Sequence, residues 1–286
     1  MHTTHTITLP KRAPLVLGGR ARVMGILNVT PDSFSDGGRH NSIDAAVAHA
    51  LKMVQDGADI IDIGGESTRP GSQLVSVQDE LDRVIPAIDA IRASGIEVPI
   101  SVDTYKPLVA DQAIQAGADI INDVNGLHGA PEMAEIAALY GVPVIAMHWD
   151  GDWVADTAPI PAMISYFERT LATAEAAGLQ RSQIILDPGF GFKKRLSQNY
   201  QILRQLADLK SAFSEQPLLV GTSRKSMIGK LLDNLPEERL AGTLATTVQG
   251  YERGGHIFRV HDVAANQDAL RVAQATLYGP NSENQS

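Results

Sequence analysis

A chain of 286 residues with 44% hydrophobic and 20% charged side chains can bury a large core, and this composition excludes a disordered chain. Its formal net charge of −9, with no lysine- or arginine-rich run, excludes a surface that holds nucleic acid by neutralising phosphates. The absence of cysteine removes disulfides, thiolate zinc sites and cysteine nucleophiles together. No apolar run nears the roughly 20 residues that span a bilayer, and the opening MHTTHTITLP lacks the charged-then-apolar order of a signal peptide. A cytoplasmic protein with a small-molecule partner, and with neither nucleic acid nor membrane as partner, is expected. An acidic chain still binds an anion when a few cations are focused in one pocket.

Short β-branched runs alternate with longer stretches of helical periodicity, the pattern of repeated βα units. In chain order the spacing predicts a strand over Arg22 to Leu27 with a helix over Ser42 to Asp56, then Asp59 to Ile63 with Val77 to Ala93. Next come Val98 to Val102 with Lys106 to Ala116, Asp119 to Asn122 with Pro131 to Tyr140, and Val142 to Met147 with Ala162 to Ala177. The last pairs are Gln183 to Leu186 with Gln198 to Leu209, Pro217 to Val220 with Pro236 to Arg253, and His256 to Val260 with Ala264 to Tyr278. Eight strands, each followed by a helix, predict an α/β fold: a single (β/α)8 TIM barrel with its active site at the C-terminal ends of the strands. An open doubly wound sheet is the structural alternative, but no Gly-x-Gly-x-x-Gly turn follows the first strand. The wording Gly57-Ala58-Asp59-Ile60-Ile61-Asp62 recurs as Gly117-Ala118-Asp119-Ile120-Ile121-Asn122, either as common βα phrasing or as internal duplication. One barrel domain over residues 15–279 is expected, with Met1 to Pro14 and Pro280 to Ser286 as flexible ends.

The strand ends carry Asn28, Asp62, Asp103, Asn122 with Asp123, His148, Asp187, Ser223-Arg224-Lys225, and Arg259 with His261. Helix capping accounts for some of these, but hydrogen-bonding groups at every strand end predict a continuous polar floor. Two long loops lie beside it, NVTPDSFSDGG (28 to 38) and GGESTRPGS (64 to 72). Lys225 lies just ahead of a helix start, and Arg259 and His261 alternate along a strand and face the same side. Together they predict an anion site for a phosphate or diphosphate at the ends of the last two strands. Asp62, Asp103, Asn122 and Asp187 form an acceptor-rich half that suits either a divalent metal or a heterocycle with several N–H donors.

The segments GILNVTPDSFSDGG (25 to 38), DIGGESTRPGS (62 to 72), SVDTYKP (101 to 107), INDVNG (121 to 126), DPGFGF (187 to 192), GTSRKSMIG (221 to 229) and RVHD (259 to 262) resemble, in order, the dihydropteroate synthase family. The resemblance implies condensation of 6-hydroxymethyl-7,8-dihydropterin diphosphate with p-aminobenzoate to 7,8-dihydropteroate and diphosphate, assisted by Mg2+, in a homodimer that sulfonamides inhibit. It implies pterin contacts for Asp62, Asp103, Asn122, Asp187 and Lys225, with Asn28 as the metal-linked residue. Asn28, Thr68, Arg69, Arg259 and His261 are implied at the diphosphate, and Phe34, Pro70, Phe192 and Ser226 at p-aminobenzoate. Lys225, Arg259, His261 and Asp36 are the implied catalytic set.

The chain departs from the family pattern at Lys193-Lys194, where glycine usually follows DPGFGF, and at Trp149-Asp150-Gly151-Asp152-Trp153, where a short polar turn is commoner. A pterin-binding methyltransferase module shares such an acidic pocket but has no need of SRKS with RVHD. A non-catalytic paralogue is expected to have lost the first loop or Lys225, and neither is lost.

Overall fold

The computed structural model describes residues 3–30, 38–66, 74–151, 153, 154 and 156–280. The chain starts with a small antiparallel hairpin, β1 (His5–Ile7) and β2 (Leu15–Leu17). Residues 5–7, inside the start expected to be flexible over Met1 to Pro14, thus form a paired strand. The polar wording hides a period-two pattern in which Ile7, Leu9, Leu15 and Leu17 are all buried. Arg12 fixes the segment further, its Nε donating to both carboxylate oxygens of Asp119 at 2.9 Å and its Nη1 to the Glu97 carbonyl at 2.9 Å.

Eight parallel strands follow: β3 (Arg22–Asn28), β4 (Ile60–Gly64), β5 (Ile100–Asp103), β6 (Ile120–Asp123), β7 (Val144–Met147), β8 (Ile184–Asp187), β9 (Leu219–Val220) and β10 (Ile257–Val260). They pair in the order β8-β7-β6-β5-β4-β3-β10-β9, and a parallel bridge from Leu186 to Leu218 joins the two ends. The sheet thus closes on itself, and its edge N–H and C=O groups find partners without an exposed edge.

Around it stand α1 (Gly38–Gln55), α2 (Val77–Ala93), α3 (Pro107–Ala116), α4 (Pro131–Tyr140), α5 (Pro159–Ala176), α6 (Leu196–Arg204), α7 (Leu206–Ala212), α8 (Ser226–Leu232), α9 (Leu240–Glu252) and α10 (Val263–Tyr278). The expected Gln198 to Leu209 helix breaks at Gln205, and a 3-10 turn over Pro236–Glu238 precedes α9. No described helix is long and apolar enough to cross a membrane.

Alternation along the strands sorts the core into two clusters. Ile61, Ile63, Ile100, Val102, Ile121, Val144, Ile184 and Phe258 point outward into the shell shared with the helices. Met24, Ile60, Ile120, Ile145, Ile185, Leu219 and Ile257 point inward and pack with the hairpin's Ile7, Leu9, Leu15 and Leu17. The hairpin therefore stoppers the N-terminal end of the barrel, and chemistry is left to the other end.

The repeated Gly-Ala-Asp-Ile-Ile wording has a structural reason at that closed end. Gly57 and Gly117 both take positive φ, a conformation that suits glycine. Two residues later Asp59 Oδ2 accepts the Val23 N–H at 2.9 Å, and Asp119 Oδ2 accepts the Ile100 N–H at 2.9 Å. Each aspartate thus fixes its strand to the strand before it, and arginines compensate the charge: Arg20 and Arg22 for Asp59, Arg12 and Arg92 for Asp119.

Candidate active site

Two residues beyond the inward apolar layer, the same alternation brings Asp62, Asn122, Asp187 and Arg259 into the barrel mouth, with Asp103 beside them. Arg259 is their centre: Nε donates to Asp62 Oδ2 at 2.6 Å and Nη2 to Asp103 Oδ2 at 2.6 Å. Asn122 Nδ2 lies 3.3 Å from both oxygens of Asp62, and Asp187 Oδ1 accepts the Gly189 N–H at 2.8 Å. Asp103 Oδ1 is buried and has no hydrogen-bond partner among the described residues.

The electrostatics follow from placing three carboxylates in one dry layer. Burial raises the Asp103 pKa above the usual carboxylate range, Arg259 opposes the rise, and the charge of Asp62 adds to it. Burial also raises Asp187, against the Gly189 N–H and the charges of Lys225 and Arg259. Burial works against the Arg259 charge too, but Asp62 and Asp103 outweigh it and hold the guanidinium protonated above its ordinary range. A pocket with surplus, partly unsatisfied acceptors is suited to a ligand that presents N–H donors.

The rim is built from the loops after β8, β9 and β10. Lys225 stands just before the first residue of α8, and its Nζ lies 4.2 Å from the centroid of the Phe192 ring, a cation–π contact. Trp149 flanks the same ring at 6.0 Å. The side chain of Lys225 can lie there because Gly191 has none: a Cβ at Gly191 would stand 3.2 Å from Lys225 Cδ. Ser223 Oγ and His261 Nδ1 share a hydrogen bond of 3.0 Å, and the His261 N–H donates to Ser223 Oγ at 3.2 Å. Ser226 is exposed on the first turn of α8, and Asn28 is half-buried at the end of β3.

Residues outside the expected binding and catalytic sets hold this rim in shape. Arg224 has φ +56°, an uncommon backbone conformation outside glycine. Its guanidinium grips Asp262 at 3.0 and 2.6 Å, its N–H donates to Thr243 Oγ1 at 3.0 Å, and its carbonyl accepts from Arg239 Nη1 at 2.9 Å. Arg224–Asp262 and Ser223–His261 thus tie the loop after β9 to the loop after β10. Lys106 pairs with both Glu66 and Glu80 and donates to the Val75 carbonyl at 2.9 Å, which anchors the chain where it leaves β4 and where it enters α2. Buried charges with fixed partners were the signal available, but pairing across such separations cannot be read along the chain.

The polar floor is narrower than the strand-end pattern suggests. Asp123 faces away from Asn122 on its strand and accepts the N–H groups of Asn125 and Leu127 at 2.9 and 2.8 Å, so it shapes a turn. His148 is fully buried against Trp153, Tyr166 and Phe167, and burial lowers its pKa to about 3. Arg259, expected at the anion rim, has its guanidinium among the carboxylates. Phe34, Asp36, Thr68, Arg69 and Pro70 lie outside the described residues.

The family described as "Pterin binding enzyme" matches residues 24–261 of this chain. The chain therefore belongs to that family. Among its relatives, the dihydropteroate synthase of Escherichia coli (strain K12) is 52% identical over 261 residues, covering 89% of this chain and 91% of the relative. The structure of Xanthomonas albilineans dihydropteroate synthase with 4-aminobenzoic acid superposes with a TM-score of 0.89 at 44% identity, covering 96% of this chain and 99% of that one. That of Yersinia pestis dihydropteroate synthase with a sulfonamide drug superposes with a TM-score of 0.86 at 44% identity, covering 95% and 99%. The relatives it matches along nearly their whole length are thus dihydropteroate synthases.

Proposed function

We infer that this chain is a transferase that condenses 6-hydroxymethyl-7,8-dihydropterin diphosphate with p-aminobenzoate, giving 7,8-dihydropteroate and diphosphate. The observation that carries this reading is the buried Oδ1 of Asp103, without a hydrogen-bond partner among the described residues, in the same layer as Asp62, Asn122 and Asp187. A pterin edge offers ring and amino N–H groups to such acceptors, and charge-assisted hydrogen bonds in a dry pocket give both affinity and selectivity.

In this reading Asp103, Asn122 and Asp187 hold the pterin with support from Asp62, and Lys225 lies along the ring. Arg259, from within the carboxylate layer, and His261 at the rim are assigned to stabilise the charge that builds on the departing diphosphate, with Thr68 and Arg69 of the second loop. The C–O bond breaks with its electron pair leaving on diphosphate, and the amine of p-aminobenzoate, assigned to Phe192 and Ser226 with Phe34 and Pro70, then attacks the pterin methylene and loses one N–H proton to solvent. Asp36 on the first loop completes the catalytic set. No protein nucleophile takes part.

Asn28 is the residue proposed to hold Mg2+. A Cβ at Gly64 would stand 3.5 Å from Asp103 Cβ and 3.9 Å from Asn28 Oδ1, so the missing side chain keeps open the space in front of a hard, neutral oxygen donor. Among the described residues there is no cluster of three acidic or histidine side chains suited to a metal. That donor set fits an ion held mainly by substrate oxygens and water, as Mg2+ usually is. When bound, the ion supplies positive charge to the diphosphate. We further propose a cytoplasmic location and a homodimer, the dimer supported by the exposed leucines Leu231, Leu232, Leu235 and Leu240 on and around α8.

Sulfonamides are expected to compete with p-aminobenzoate, because an aryl amine with a para polar group offers Phe192 and Ser226 the same shape. Inhibition measured at several p-aminobenzoate concentrations should be relieved by that substrate, and Phe192→Leu should weaken both substrate and drug. Inhibition independent of p-aminobenzoate, or none at millimolar drug, would remove Phe192 from the aryl-amine subsite.

A further inference from the structure

Lys194 is the only buried lysine among the described residues, and it forms no ion pair with a described residue. Its three N–H donors go instead to three carbonyls: Gly189 at 2.8 Å, His148 at 3.2 Å and Phe192 at 3.3 Å. The Trp153 ring lies 5.4 Å away and completes the cage. The backbone is folded to make this possible, since Gly189, Gly191 and Lys193 alternate at φ +66°, +84° and +53°. A Cβ at Gly189 would stand 2.3 Å from the His148 carbonyl oxygen, so the close wrap requires glycine there. Asn199 of α6 seals the outside, accepting the Gly191 N–H at 2.7 Å and donating to the Lys194 carbonyl at 3.0 Å.

The cage holds Phe192 by its backbone carbonyl, and the Phe192 ring lies against Lys225 Nζ. We infer that Lys194 is a positioning residue for the aryl-amine subsite: its ammonium pins the Phe192 carbonyl to the ends of β7 and β8 and so fixes the Phe192 ring against Lys225. The inference rests on the proposed reaction. It gives the buried cation a use that charge neutralisation does not, and it makes the Lys193-Lys194 stretch part of the support of the site.

The support depends on protonation. The neutral amine keeps only two N–H donors and turns a lone pair toward the third carbonyl, which releases one tie. The charged or titratable groups that face Lys194 are Asp187 on β8, Asp150 and His148 after β7, and Lys225 at the start of α8. Burial lowers the Lys194 pKa to about 7, Asp187 opposes the fall and Lys225 adds to it.

The test is steady-state kinetics of the full chain carrying Lys194→Met, which keeps the bulk and removes the cation. The Michaelis constant for p-aminobenzoate should rise about tenfold, while that for pterin diphosphate and the turnover at saturation stay within about threefold, because only the support of Phe192 is lost. Lys194→Arg, with a cation and donors, should recover part of the loss. A folded Lys194→Met protein with an unchanged p-aminobenzoate constant overturns the inference, as does an equal rise in both constants. Should the variant not fold, the wild-type p-aminobenzoate constant at saturating pterin diphosphate decides, rising above about pH 7 if the inference holds and flat from about pH 6 to 9 if it fails. Wild-type protein that forms no dihydropteroate would instead refute the underlying reaction.

Discussion

Replacing Arg259 with alanine is expected to slow turnover by roughly 10²–10³, the size of effect seen when a preorganised donor to developing charge is removed. The structure adds a second consequence. The guanidinium bridges Asp62 and Asp103 at 2.6 Å each, so its loss leaves two buried carboxylates without their counter-charge. Stripping one partner from a buried pair costs about 3–5 kcal/mol, less whatever the carboxyls recover by taking up protons. The two effects separate experimentally, because single-turnover rates report chemistry and thermal melts report the fold. Arg259→Lys should restore little of either, since a single ammonium cannot reproduce a fork that reaches two carboxylates at once. A normal single-turnover rate with only a raised Michaelis constant would place Arg259 in ground-state binding alone.

Asp103→Asn should weaken pterin binding by about 1.5–3 kcal/mol, the worth of a hydrogen bond to a charged group. Its effect on the fold should have the opposite sign. Burial holds the Asp103 carboxyl above its ordinary pKa, so the folded chain keeps this proton to higher pH than the unfolded chain does. The stability it contributes is present at low pH and is lost as the pH rises through the folded pKa, after which the ionised group is a cost. Asparagine carries no such cost. The melting temperature of the variant relative to wild type should therefore increase from about pH 5 to about pH 8 while pterin affinity, measured by calorimetry, stays low. A variant that melts lower in proportion to its lost affinity would make Asp103 a structural residue.

The acidic layer was legible because strand alternation alone decides which side chains enter the barrel. Asp62, Asp103, Asn122 and Asp187 were placed at strand ends, and alternation in the folded barrel turns Asp62, Asn122 and Asp187 inward. The same rule, applied more strictly, excludes Asp123: if Asn122 points inward, its neighbour points out, where it caps Asn125 and Leu127. It likewise sends His148 outward once Met147 shares the side of Ile145. The N-terminal hairpin was missed for the converse reason, as the alternation of Ile7, Leu9, Leu15 and Leu17 is broken by polar residues over too short a span to stand out. Its meaning comes only from the barrel bottom it fills.

Other features depend on contacts between distant parts of the chain. Nothing along the sequence pairs Arg259 with Asp103, or Arg224 with Asp262. Lys194 runs against expectation altogether, since a lysine is rarely buried without a carboxylate. Its cage exists because alternating positive φ angles turn backbone carbonyls toward it, which the Gly-Phe-Gly-Phe wording suggests only after the fold is known.

The central claim is most directly tested by incubating the purified chain with 6-hydroxymethyl-7,8-dihydropterin diphosphate, p-aminobenzoate and Mg2+ and separating the products. Dihydropteroate and diphosphate are predicted in equal amounts, dependent on both substrates, with the yield cut sharply by Arg259→Ala. Diphosphate released without incorporation of the aryl amine, or no product at any concentration of either substrate, would contradict the account.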